Sequence, residues 1–105
     1  MAVYIVSKIN ITFDISSARE YGEFKFVNER FVYGDELNGD KLPASVVINT
    51  HNVLRKFNPD IDYLMIIGDH LQLLLAAVFL TKEFGKFRVL RWDRMAKGYF
   101  PVELS

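Results

Sequence analysis

A strand–helix–strand pattern in the C-terminal half constrains the fold of this chain more than any other feature. Tyr63–Ile67 and Phe87–Trp92 are apolar, β-type runs, and Leu71–Phe84 between them has the length of a helix, with Asp69 as N-cap and Gly85 as C-cap. This order predicts a crossover that pairs the two strands in parallel. The helix is apolar nearly all round, so we expect it to be covered on both sides or to meet a second subunit.

The remaining segments extend this unit to an α/β fold. We predict a single small three-layer domain over residues 1–105, with a mainly parallel sheet and an antiparallel C-terminal hairpin. The pattern leaves open on which side of the first strand the second one pairs. The expected additional elements are strands at Ala2–Ile9, Glu23–Asn28, Phe31–Tyr33 and Tyr99–Leu104, a short helix at Asp14–Gly22, a loop at Gly34–Leu42 and a helix from Pro43 to Phe57.

Composition sets limits on function. Half of the 105 residues are hydrophobic and 25% are charged, which excludes a disordered tail or a coiled coil. Thirteen basic and thirteen acidic residues cancel, which argues against a dedicated duplex-binding domain. The chain has no cysteine, so disulfides and thiol nucleophiles are excluded, and we expect no metal and no cofactor. We expect a cytoplasmic protein without a signal peptide or membrane segment.

The first candidate site lies where the central strand meets its helix, at Gly68, Asp69 and His70. Open α/β sheets bind ligands at the carboxyl ends of their strands, and helix N-termini attract anions. A small anionic ligand is therefore a possible occupant, with His70 as a hydrogen-bond donor or proton carrier. The competing interpretation is that Asp69 only caps the helix and His70 is a surface residue of its first turn.

Asp14, Ser16 and Ser17 form a second candidate site. If the first strand runs parallel to Tyr63–Ile67, these side chains lie near the same sheet edge and line one polar crevice with Asp69 and His70. A hydrolase-like relay through His70 needs a strained serine turn, and the sequence has no Gly-x-Ser-x-Gly motif. The alternative is that Asp14 and the serines only cap a short helix.

The third candidate is a basic and aromatic patch on the C-terminal hairpin. Six basic and two acidic residues lie between positions 82 and 97, whereas seven acidic and three basic residues lie between positions 14 and 40. Such a patch is able to hold phosphates and stack bases, but alternation along a strand places its members on different faces. The alternatives are a solvated hairpin or charge-guided self-association. The patch comprises Arg88, Arg91, Trp92, Arg94 and Tyr99.

Four stretches of the sequence resemble small uncharacterised proteins encoded by tailed bacteriophages. The resemblance implies a phage origin and an α/β fold, and it carries over no catalytic residue. The stretches are Asp14–Ser17 with Tyr21–Glu23, then Asp62–Asp69, Leu90–Arg94 and Tyr99–Glu103.

These observations favour a non-enzymatic interaction protein over an enzyme. We expect a phage-encoded factor that binds a host protein or self-associates, with a homodimer formed through the apolar helix or an edge strand. The alternative is a small-ligand or nucleotide-binding domain that uses the strand-end crevice. An enzyme built on His70 with Asp69 or Asp14 is a third possibility, and binding to nucleic acid or to a membrane is not expected.

Overall fold

Five strands, two α-helices and one 3-10 helix occur in the part of the chain that the computed structural model describes, residues 1–7, 15–28 and 42–105. The predicted strand at Phe31–Tyr33, most of the loop at Gly34–Leu42, and Asp14 lie outside the described residues. The elements are β1 (Ala2–Ser7), the 3-10 helix (Ser16–Tyr21), β2 (Glu23–Asn28), α1 (Ala44–Leu54), β3 (Tyr63–Met65), α2 (His70–Phe84), β4 (Phe87–Asp93) and β5 (Gly98–Leu104).

The strands form one sheet in the order β2-β1-β3-β4-β5. The first four run parallel, and β5 pairs antiparallel with β4. The crossover β3-α2-β4 and the C-terminal hairpin are therefore confirmed. β2 lies on the outer side of β1, which answers the question of pairing that the sequence left open.

The sheet is covered unequally on its two faces. Both α-helices pack on one side, hereafter the helix face, where Tyr4 and Leu64 meet Leu54 of α1 and Leu80 of α2. On the opposite face the covering layer formed by the described residues is the 3-10 helix, whose Ala18 is fully buried. The three layers predicted from the sequence are present, and within residues 1–7, 15–28 and 42–105 the third consists of the 3-10 helix. The opposite face packs Val3, Ile5, Tyr63, Met65, Ile67, Leu90 and Tyr99 together.

The short helix predicted at Asp14–Gly22 is a 3-10 helix over Ser16–Tyr21. β3 and α1 are also shorter than predicted, in each case because the backbone tightens into a turn. β3 ends at Met65 because the N–H of Ile67 turns back to the Met65 carbonyl at 2.9 Å. α1 ends at Leu54 because the N–H of Phe57 donates to the Leu54 carbonyl three residues back, which closes a turn rather than another α-helical turn. Phe57 is nevertheless buried in the core, as its place in the apolar stripe predicts.

Helix α2 has the predicted N-cap, C-cap and last residue, and it begins at His70, one residue before the predicted start. The Asp69 carboxylate accepts the backbone N–H of Gln72 at 3.0 Å, and Gly85 with φ +81° follows the last residue. The helix buries only one narrow stripe fully, at Gln72, Ala76 and Leu80. The rest of its apolar surface is only partly covered by the described residues, and Leu71, Leu74 and Val78 are exposed.

Candidate interaction surface and polar cluster at the strand ends

Gly68 lies at the carboxyl end of β3, beside the end of β1. The connections from these two strands leave in opposite directions, which makes this the point where open α/β sheets bind ligands. Gly68 has φ +103°, and a Cβ there would lie 3.0 Å from both Ser7 Oγ and Val6 Cγ2. The backbone N–H of Asp69 is 3.4 Å from Ser7 Oγ. The lack of a side chain at Gly68 therefore allows the backbone at Gly68 and Asp69 to pack directly against the end of β1. These backbone atoms occupy the space beside Ser7.

A relay of side-chain amides lies next to this point. Asn49 Nδ2 donates to the Val27 carbonyl at 2.6 Å and to Asn28 Oδ1 at 2.7 Å. Asn28 Nδ2 then donates to Gln72 Oε1 at 2.9 Å and to Thr50 Oγ1 at 3.2 Å. Because Asn49 must turn its nitrogen toward the Val27 carbonyl, the orientation of each following amide is fixed. The relay joins β2, α1 and α2 through polar side chains.

The relay was missed in the sequence, and it ends in an unsatisfied donor. Gln72 is 1% exposed, and its Nε2 has no hydrogen-bond partner in the described structure. Two features of the sequence point to the relay. Asn28 is the last residue of a predicted strand, and Gln72 is the polar residue of the otherwise apolar segment Leu71–Leu80. Buried polar side chains at such positions require partners, which must come from neighbouring elements.

His70 lies on the helix face, at the mouth of an apolar groove rather than in a polar crevice. The groove has a volume of about 330 Å³ and runs between α2 and the β4–β5 half of the sheet. His70 contributes the one ionisable side chain of its lining. The groove is of a size that holds a large apolar side chain or a small ligand. Its other lining residues are Leu64, Ile66, Leu73, Leu74, Ala77, Phe87, Val89 and Leu104.

Exposed apolar side chains lie on the elements that border this groove, and three of them, Ile66, Leu74 and Leu104, line it. Leu71, Leu74 and Val78 follow one another at helical spacing on α2, and Leu74 is 63% exposed. Val102 and Leu104 extend from β5 on the same face, because they pair with Val89 and Phe87 of the helix-face core. We call this the α2–β5 surface, and it comprises Ile66, Leu71, Leu74, Val78, Phe100, Val102 and Leu104.

Pro101 lies in the middle of β5, the strand at one edge of the sheet. The Leu90 carbonyl accepts the N–H of Ile66, so Leu90 directs its backbone polar groups toward β3. Pro101 is paired with Leu90 and therefore directs its own backbone outward, away from β4. A proline there removes an N–H from the free edge, which is a common device against edge-to-edge pairing.

Ser16 and Ser17 lie on the 3-10 helix, on the face opposite to α2. Ser16 lines a separate groove with Arg19 and Phe24, and the Arg19 guanidinium lies 4.9 Å from the centre of the Phe24 ring. Ser17 is exposed. The structure therefore does not bring the two serines into one pocket with His70. The binding role of all these residues stays a prediction.

The basic and aromatic residues of the hairpin are divided between its base and its end. Arg88 at the base donates to the Asp60 carbonyl at 2.6 Å and to the Tyr63 hydroxyl at 3.1 Å, which ties it to the loop before β3. Arg91 pairs with Phe100 and lies on the helix face, two residues after Val89 of the helix-face core. Arg94 is exposed in the turn. On the opposite face, Trp92 and Tyr99 meet edge to face at 5.1 Å.

The described residues contain neither a metal site nor a membrane span. No group of three or more His, Asp or Glu side chains converges in residues 1–7, 15–28 and 42–105. Within the same ranges, neither α-helix is long and apolar enough to cross a bilayer.

A sequence model of one protein family matches residues 1–105, and that family is described as "Phage Pam3 gp32-like protein". The chain belongs to this family. The match confirms the resemblance to phage proteins that the four sequence stretches indicate. No curated protein and no solved structure matches the chain. Family membership therefore establishes a relationship to phage proteins.

Proposed function

We propose that this chain is a non-enzymatic interaction protein that acts in the host cytoplasm and self-associates through its α2–β5 surface as a homodimer. The observation that carries the proposal is the α2–β5 surface, whose seven large apolar side chains are each 38–63% exposed and of which Ile66, Leu74 and Leu104 line one groove. Scattered apolar residues on a protein surface need no explanation, whereas a contiguous group around a groove is typical of an interaction site.

A second copy of the chain suits this surface in charge. The seven side chains are all uncharged, so two copies related by a two-fold axis meet without like charges at the centre. Arg91 lies at the rim, beside Phe100, where solvent screens its charge. Leu74 stands at the edge of the groove and is the most exposed of the seven, which makes it the natural anchor for the groove of the partner copy.

Pro101 favours this face over the β5 edge of the sheet as the contact. The sequence left open whether the apolar helix or an edge strand mediates self-association. A continuous sheet across two copies of β5 needs outward N–H groups, and Pro101 lacks one at the middle of that edge. Packing through α2 and the face of β5 has no such requirement.

The strand-end crevice supports the ligand-binding alternative less well. Gly68 and Ser7 fill the switch point with protein atoms, and His70 faces the apolar groove instead. An enzyme that uses His70 with Asp69 also has little support. The Asp69 carboxylate caps α2, and His70 lines the apolar groove.

Light scattering after size-exclusion chromatography tests the proposal. The expected result is a dimer for the natural chain and a folded monomer for Leu74→Glu, because a buried charge at the centre of the interface opposes association. Ile48→Glu is the matched control, since Ile48 is 59% exposed on α1 and outside the α2–β5 surface. A natural chain that stays monomeric at high concentration, or equal disruption by Ile48→Glu, overturns the proposal. A monomer that binds a host protein through Leu74 would instead favour the host-partner form of the function.

A further inference from the structure

The end of the β4–β5 hairpin extends past its neighbour in the sheet. β3 pairs with β4 only from Arg88 to Leu90, whereas β4 and β5 remain paired as far as Asp93 and Gly98. The last three cross-strand pairs and the turn therefore form a two-stranded ribbon. Tyr99 attaches the ribbon to the 3-10 helix. It is 5% exposed, and its carbonyl accepts a hydrogen bond from the Tyr21 hydroxyl at 3.1 Å. We call residues 91–100 the hairpin arm.

The hairpin arm is positively charged and exposed. It carries Arg91, Arg94 and Lys97 against one acidic residue, Asp93, and the three basic side chains are all exposed. The Asp93 carboxylate is engaged in the turn, where Oδ1 accepts the N–H of Met95 at 2.9 Å and that of Ala96 at 3.3 Å. The chain has zero net charge, so this local excess is a property of the arm and not of the whole protein. A negatively charged partner fits it by charge.

The arrangement of the aromatic side chains distinguishes among negatively charged partners. Trp92 and Phe100 are 41% and 43% exposed, but they belong to successive cross-strand pairs and so extend from opposite faces of the ribbon. They cannot form one platform on which the bases of a single strand stack in succession. A membrane-inserting tip needs several large apolar residues at the turn, and here Met95 lies between Arg94 and Lys97.

A groove in duplex nucleic acid admits such a ribbon without requiring its aromatic side chains to share one face. The major groove of B-DNA is about 12 Å wide and admits a two-stranded β-ribbon with phosphates on each side. We propose that the hairpin arm is a duplex-binding element whose basic side chains contact phosphates on both walls of a groove, while Trp92 and Met95, which lie outside the α2–β5 surface, face the groove interior and its edges. This inference goes beyond the proposed self-association and does not require it.

Fluorescence anisotropy with a labelled DNA duplex of about two helical turns tests the inference. Three phosphate contacts predict that the logarithm of the binding constant falls with the logarithm of the salt concentration with a slope of about −2.7 for one arm. The paired substitution Arg94→Gln with Lys97→Gln is expected to weaken binding and to reduce the magnitude of the slope by about 2. These side chains are exposed, so the variant is expected to fold.

The matched control is Lys25→Gln with Lys56→Gln, which removes the same charge from the groove between β2 and α1. This variant is expected to bind like the natural chain. The inference is overturned if no duplex binding occurs at low salt, or if the control loses as much affinity as the arm variant. Stronger binding to single-stranded DNA, or to vesicles of anionic lipid, also overturns it. The Leu74→Glu variant is expected to be a monomer and to bind duplex DNA with the salt slope of about −2.7 expected for one arm. A failure of self-association is therefore distinguishable from a failure of this inference.

Discussion

The side-chain amide of Asn28 donates to Oε1 of Gln72 at 2.9 Å and joins the end of β2 to the first turn of α2, 44 residues later. Both side chains are buried, at 5% and 1% exposure. Asn49 supplies the donor that fixes the orientation of Asn28. A polar relay between an edge strand and two helices specifies how these elements meet, because another register breaks these bonds and leaves more buried amide groups without partners.

Replacing Asn28 with alanine is expected to lower the free energy of unfolding by about 2–3 kcal/mol, because Gln72 Oε1 and Thr50 Oγ1, both in buried side chains, lose the amide donor of Asn28. Gln72→Met is expected to cost less, about 1 kcal/mol, since it also removes the unsatisfied Nε2. Urea unfolding followed by circular dichroism measures both. Asn52→Ala, at an exposed position of α1, serves as the reference with little change. Equal stability of Asn28→Ala and Asn52→Ala would contradict the role of the relay.

Gly68 and Gly85 both have positive φ, but only Gly68 has close neighbours. Gly68→Ala is expected to cost about 2–4 kcal/mol, because overpacking against Ser7 and Val6 adds to backbone strain. Gly85→Ala has open space and is expected to cost about 1–2 kcal/mol, from strain alone. Thermal and urea unfolding of the two variants give the comparison. If the free energy of unfolding falls equally in both variants, the close approach of Gly68 to β1 does not add to the cost of the substitution.

The crossover was predictable because local signals and burial agree there. β-type runs flank an apolar helix, and Asp69 and Gly85 bound that helix with their ordinary capping chemistry. The ends of α1 and β3 were less predictable. Phe57 and Ile67 continue the apolar pattern and are buried, yet each lies beyond a turn that ends its element. Hydrophobic periodicity reports burial, and it does not report where a backbone turn tightens.

The candidate sites show the same division between local and long-range information. The position of Asp69 as N-cap follows from neighbouring residues, so it was predicted. The side of the sheet on which Ser16 and His70 lie depends on the hand of each crossover and on strand order, which the sequence left open. The partners of Asn28 are 21–44 residues away, so no local pattern shows them.

Pro101→Val is expected to make the sheet edge available for pairing between molecules. The substitution restores an outward N–H at the centre of β5 and adds a β-branched residue. The expected outcome is assemblies larger than a dimer, which grow with protein concentration in light scattering. Pro59→Ala, in the loop before β3, leaves the edge unchanged and is expected to match the natural chain. An unchanged size distribution for Pro101→Val would show that this proline does not protect the edge.

Tyr4 makes the stability of the fold sensitive to alkaline pH. Burial, and after it the negative charge of Asp62, raises the pKa of Tyr4 above its ordinary value of 10.0. The unfolded chain therefore loses the hydroxyl proton at a lower pH than the folded chain, so the free energy of unfolding is unaffected below pH 10.0 and falls as pH rises above it, through the folded pKa. Tyr4→Phe is expected to make this fall shallower. Urea unfolding across the alkaline range measures it for both chains, each referenced to its own stability at neutral pH, and parallel curves would contradict the assignment to Tyr4.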